Sequence, residues 1–163
     1  MSVYSPAVPW LPLGAICLHL VEEFVWPGGF GDWYRRYRPE RASSVTTRFL
    51  FWINALFVAM ALVAGAFGLR PLGIAFWLVV ASLAAANGAF HLWATYRSRS
   101  YSPGVVTGLV IYIPLAVFGF TTFGRNGLAT TGTMLQALII GPAYHVYAAW
   151  NHRRRAKRAT AAP

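Results

Sequence analysis

Charge is scarce in this chain, and negative charge is scarcer still. Of 163 residues, 11% are charged, and only four are Asp or Glu against fourteen Lys and Arg. A soluble domain carries roughly 25% charged residues. So thin a supply cannot clothe a water-facing surface, which excludes an ordinary globular domain and a disordered chain alike. Cysteine is almost missing: Cys17 stands alone, so neither an internal disulfide nor a cysteine-rich metal cluster is available. The length suits one domain of a few helices. The net charge of +10 would suit nucleic acid if the basic residues formed a continuous face, but they lie in clusters between apolar runs. A nucleic-acid partner is therefore not expected.

What the chain has in abundance is uncharged sequence, 57% of it hydrophobic. Residues 49–69 lie between Arg48 and Arg70, and residues 71–96 run on to Arg97. Residues 100–124 lie between Arg99 and Arg125, and residues 126–152 end at Arg153. Each exceeds the ~20 residues that cross a hydrocarbon core about 30 Å thick. A first segment, 9–26, is shorter and holds two acids, but Trp10 and Trp26 suit the two interfacial belts. No Lys or Arg precedes it, so a secretory signal is not expected. Long unbroken runs argue against the alternating strands of a β-barrel. The expectation is an all-α, multi-pass membrane protein of five transmembrane helices, at about 9–26, 49–69, 72–96, 103–123 and 131–151. They form a single domain over 1–152, followed by a basic tail at 153–163.

The basic residues orient it. Arg35, Arg36, Arg38, Arg41, Arg48, Arg97, Arg99, Arg153, Arg154, Arg155, Lys157 and Arg158 fall on one side, leaving Arg70 and Arg125 on the other. Twelve against two puts the N-terminus outside and the C-terminus in the cytoplasm of an inner membrane. The positive charge then serves topology and anionic lipid headgroups.

Local signals add detail. Trp26-Pro27-Gly28-Gly29-Phe30 ends the first helix. The loop 32–47 predicts a short interfacial helix around Trp33, Tyr34 and Tyr37. Pro103 opens the fourth helix, and Gly104 with Gly108 suits close helix packing. Trp52, Trp77, Trp93 and Trp150 read as interfacial anchors, and Cys17 as a core residue.

The informative residues are those the apolar segments hold despite their cost. A charge at the bilayer centre costs about 2.5–3.5 kcal/mol on insertion scales, yet Glu22 and Glu23 lie in the first segment. His19 precedes them at spacings of three and four, which predicts both carboxylates beside the imidazole on one helix face. The second segment holds Asn54, the third Asn87 and His91, and the fifth His145. Asn54 and His91 lie six residues from the cytoplasmic charge line and His145 eight, roughly 9–12 Å at 1.5 Å per residue. Antiparallel helices thus bring their costly polar residues into one layer.

With His19-Leu20-Val21-Glu22-Glu23 on the page, the chain resembles the HXXEE family of small bacterial multi-pass membrane proteins. The resemblance extends to Pro27-Gly28-Gly29-Phe30, Asn54, Asn87, His91 and Tyr101-Ser102-Pro103-Gly104. It implies the membrane fold and the site. The family is of unknown function, so no reaction comes with it.

Carboxylates with imidazoles suit a divalent metal, zinc or iron. The expected ligands are His19, Glu22, Glu23 and His91, with His145 joining on depth alone. Glu23 and Glu22 are the candidate catalytic groups, and Asn54, Asn87 and Tyr101 the supporting ones. The leading reading is a metal-dependent membrane enzyme, a hydrolase or an oxidoreductase, taking a lipid-like substrate from the cytoplasmic leaflet. A proton or cation transporter, a metal-free intramembrane glutamate hydrolase and a purely structural polar knot stay open. So does oligomerisation. Membrane lipids are the expected surroundings.

Overall fold

A computed structural model describes residues 5–160, and every regular element among them is helical. After a 3-10 turn at Val8–Trp10 come α1 (Leu11–Phe24), α2 (Phe30–Tyr37) and a 3-10 segment at Pro39–Ser44. Then follow α3 (Thr47–Phe67), α4 (Pro71–Ser98), α5 (Val105–Arg125) and α6 (Thr131–Thr160). Three of them, α3, α4 and α5, are long and apolar enough to cross a membrane. Helix α1 has 14 residues, about 21 Å of rise, and so is shorter than the expected 9–26.

The breaks follow the local chemistry. Helix α1 stops where Gly28 and Gly29 take left-handed φ angles of 71° and 81°, a conformation that glycine adopts without steric cost. Helix α2 is a short helix containing Trp33, Tyr34 and Tyr37, with Asp32 in its first turn and Arg35 and Arg36 in its last, each sign matching the helix dipole. Thr46 caps α3, its side chain accepting from the Phe49 N–H at 3.1 Å.

Helix α4 is the centre of the bundle. It is apolar on all sides, and such a helix is stable only when surrounded. It packs against α3, α5 and α6. Its Ile74, Trp77, Leu78 and Ala81 form one core with Phe123 and Ala137, while Val80 and Ala84 join Ile16, Ala61 and Tyr112 in a second. Gly88 lets α5 approach: a Cβ there would lie 2.6 Å from the Gly108 carbonyl oxygen. In lipid, this intimacy of backbones is what holds helices together.

Helix α5 is irregular where it matters. Gly104 precedes it with φ 104°, so Pro103 and Gly104 form a turn before the helix rather than its first residues. Residues Gly108–Tyr112 form a π turn just before Pro114. Proline lacks an N–H and crowds the carbonyl four residues back, and a widened turn relieves both. That turn ends on Tyr112, which is fully buried.

Two single-residue expectations are corrected. Trp77 is no interfacial anchor: it is 1% exposed, and its indole N–H donates to the Val8 carbonyl at 3.0 Å. Cys17 is exposed on the outside of α1 rather than in the core. Trp10, Trp26, Trp52, Trp93 and Trp150 are exposed.

Candidate metal centre

Helix α1 brings His19 and Glu23 to one side, four residues apart and one turn above each other. Helix α4, passing alongside, supplies His91. All three are buried, at 2%, 5% and 0% exposure. His91 Nε2 lies 3.1 Å and His19 Nε2 3.5 Å from the same Glu23 oxygen, Oε1. One ligand atom from each residue lies within 4.8 Å of the others, a spacing that could hold a metal ion. Tetrahedral zinc with ligands at about 2.0–2.2 Å separates them by about 3.3 Å, so the observed 3.1 and 3.5 Å fit.

The protons can be assigned by following donors. Glu22, the neighbour of Glu23, turns to α5 and accepts four hydrogen bonds. They come from the Tyr101 hydroxyl at 2.5 Å, the Val106 N–H at 3.0 Å, the Thr107 N–H at 2.7 Å and the Thr107 hydroxyl. The two N–H groups belong to the first turn of α5, where backbone donors have no helical partner. Gly104 at the N-cap has no side chain to offer, so Glu22 caps the helix from outside. Thr107 has one hydroxyl hydrogen, and it is spent on Glu22. Its oxygen, 2.7 Å from His19 Nδ1, must therefore accept from Nδ1–H. A neutral imidazole protonated at Nδ1 presents its lone pair at Nε2, the atom that faces Glu23. Asn87 agrees with this, its amide donating to the His19 Nε2 lone pair at 3.0 Å, a bond that ligation of a cation by Nε2 would replace.

His91 Nδ1 is paired with the Ser102 hydroxyl at 2.9 Å. Its Nε2 is buried and has no hydrogen-bond partner among the described residues, while a carboxylate oxygen stands 3.1 Å away. An imidazole lone pair and a carboxylate at that distance repel each other unless a proton or a cation lies between them.

The surroundings are close. Gly104 covers both rings: a Cβ there would lie 2.8 Å from Cε1 of His19 and 2.8 Å from Cε1 of His91. The Tyr112 ring lies over His19 with centroids 4.4 Å apart, and Phe30 packs on His91 at 5.5 Å. On its other side the centre meets a cavity of about 280 Å³, lined by Glu23 and Asn87 and by apolar side chains of α3 and α6.

The structure thus brings together His19, Glu23 and His91, with Asn87 and, through Glu22, Tyr101 in support. It does not bring in the others as ligands. Glu22 points away from the trio, because consecutive helical residues diverge by about 100° and two carboxylates repel in a poor dielectric. His145 lines the cavity, but its Nε2 donates to the Leu83 carbonyl at 3.3 Å. Asn54 also lines the cavity, and its amide donates to its own helix, at the Leu50 carbonyl, 2.9 Å away. Sequence reasoning missed Thr107 and Tyr112, and it named Ser102 and Gly104, within the Tyr101-Ser102-Pro103-Gly104 stretch, with no contact to the histidines. The available signal was Ser102 and Thr107, two hydroxyls around a Pro-Gly turn at the head of an apolar run.

Fold and site together define a helical protein with membrane-length helices and a buried pair of histidines converging on one carboxylate. The chain belongs to the family described as "Protein of unknown function with HXXEE motif", which it matches over residues 10–119. It is similar to the uncharacterised protein YrkK of Bacillus subtilis (strain 168), 27% identical over 132 residues that cover 78% of this chain and 82% of the relative. No solved structure matches it.

Proposed function

We propose that this protein is a metal-dependent membrane enzyme whose centre is His19, Glu23 and His91. It acts on a lipid-like substrate that enters the adjoining cavity from the cytoplasmic leaflet. The observation that carries this reading is the unpartnered His91 Nε2 facing a Glu23 oxygen 3.1 Å away, with His19 Nε2 beside them. A divalent cation turns that repulsion into coordination. Two imidazoles and one carboxylate are the ligand set of catalytic zinc sites with an open fourth position, and of non-haem iron. A cation here stabilises a water-derived nucleophile or polarises a substrate oxygen. The Nδ1 hydrogen bonds of both histidines, to Thr107 and to Ser102, fix the rings, and donation from Nδ1 would raise the basicity of Nε2 as a ligand.

In this reading five helices cross the inner membrane, with the N-terminus outside and the basic tail in the cytoplasm. Helix α1 crosses with the Val8–Trp10 turn and the Trp26 flank added to its length. Glu22 is the capping residue of α5 and the anchor of the His19 tautomer, with no ligand role. The test is elemental analysis of the purified full chain, alongside His91→Ala and Glu23→Gln. The expected result is close to one equivalent of zinc or iron in the wild type and a loss of at least tenfold in both variants. Wild-type protein that takes up no divalent metal from a metal-supplemented buffer overturns the reading and leaves a proton-sharing His91–Glu23 pair. A fusion reporter that finds the C-terminus outside overturns the orientation.

A further inference from the structure

The cavity that meets the metal centre is also lined by two basic residues the centre does not use, Arg41 and His152. Arg41 is only 9% exposed, and its Nε has no hydrogen-bond partner among the described residues. The carboxylate near it is that of Glu40, exposed, 3.6 Å from Nε and also 3.8 Å from Arg38. An exposed and shared acid offsets little of the cost of burying a guanidinium. Arg41 is held there by its own backbone: the Ser44 hydroxyl donates to the Arg41 carbonyl at 2.8 Å. That spends the hydroxyl hydrogen, so the Ser44 oxygen accepts from His152 Nδ1–H at 2.9 Å. His152 is thereby fixed with Nε2 left over, and its ring stands edge-on to Phe49 at 4.7 Å.

Helix α3 measures how far this pair is from the metal centre. Phe49 touches His152, and Phe57 touches Tyr112, the residue lying over His19. Eight residues at 1.5 Å each make about 12 Å. Between these levels α3 offers Leu50, Ile53 and Leu56 to the cavity. A volume of about 280 Å³ is at the small end of ligand pockets, roughly 300–1,000 Å³, which suits one chain rather than two.

We infer that Arg41 is the headgroup subsite for a single-chain amphiphile carrying a phosphate ester. The chain lies along α3, and the position presented to the metal centre lies about 12 Å from the headgroup, within the chain. Arginine suits this task because its planar fork pairs with two phosphate oxygens at once. This deepens the proposed function and depends on it only for what stands at the inner end of the cavity.

The test is binding of dodecyl phosphate to the full chain in discs of neutral phosphatidylcholine, measured by calorimetry beside dodecanol and inorganic phosphate. Dodecyl phosphate is expected to bind at least tenfold more tightly than either, and Arg41→Gln to remove that advantage at unchanged metal content. Equal binding of dodecanol, or an Arg41→Gln chain that binds like wild type, overturns the inference. Inorganic phosphate binding as well as dodecyl phosphate overturns it in favour of a soluble anion. If Arg41→Gln does not fold, Arg41→Lys carries the test. It keeps the charge and loses the fork, with at least a threefold loss expected and unchanged affinity refuting. Metal content is measured on the same preparations and the readout is binding rather than turnover, so failure of the metal reading and failure of this one are distinguishable.

Discussion

Replacing Gly104 with alanine asks whether the two imidazoles are held together by the turn that covers them. The new Cβ would sit 2.8 Å from Cε1 of both His19 and His91, and 3.0 Å from His91 Nε2. Real carbon contacts do not come that close, so the rings must separate or the turn must lift. The backbone adds its own cost, because φ at this position is 104°, and such a conformation costs a non-glycine residue about 1–3 kcal/mol. Gly29 supplies the control. Its φ is 81°, and a Cβ there meets nothing within 4 Å, so Gly29→Ala carries backbone strain alone. Thermal unfolding in detergent is expected to show a loss of about 1–2 kcal/mol for Gly29→Ala and a larger one for Gly104→Ala. Metal analysis is expected to show full occupancy in the first and at least a tenfold loss of affinity in the second. A Gly104→Ala protein that binds metal like the wild type refutes the geometry of the covered site.

Four further outcomes follow from contacts described above. Glu22→Gln is expected to destabilise the protein by about 1–3 kcal/mol, since a neutral amide caps α5 poorly, while metal still binds. Thr107→Val, which cuts the chain from Glu22 to His19, is expected to weaken metal affinity by about 10–100-fold; metal titration of both variants checks this. Gly88→Leu is expected to abolish the folded state in detergent, because the side chain enters the space held by the Gly108 backbone, and size-exclusion chromatography reads the result. At the end of α6, burial first, then the Arg155 and Arg41 charges, hold the His152 imidazole below its ordinary range. The folded state thus disfavours the protonated ring. Stability is fully present above the unfolded pKa of about 6.5 and is lost as pH falls through the lower folded value. Melting temperatures between pH 7.5 and 5 should fall less in His152→Gln than in the wild type.

Much of this was legible in the sequence, for reasons that also mark where legibility ended. Uncharged runs between arginines announce α3, α4 and α5, since apolar length is a one-dimensional property. The fate of Trp77 is not: an indole suits a membrane interface and a helical core equally, and only the Val8 carbonyl across from it decides. Depth worked in the same limited way. Counting residues from the charge line brings Asn54, His91 and His145 to one level, but height along a helix says nothing of rotation about it. His91 faces α1, while His145 turns to the Leu83 carbonyl. The motif itself divides for a related reason. Glu22 and Glu23 are neighbours in sequence whose carboxylates have different partners, because three of the four hydrogen bonds that Glu22 accepts come from α5, more than eighty residues on.

The clasp between Glu22 and the head of α5 imposes a timetable on maturation. As the chain emerges, His19 and Glu23 come first and wait, their third companion still unmade. His91 arrives with α4, yet the imidazole of His19 remains free to spin until Thr107 is delivered and its hydroxyl is pinned. The arrangement that could hold a cation is therefore complete only once a residue more than eighty positions beyond His19 has been made.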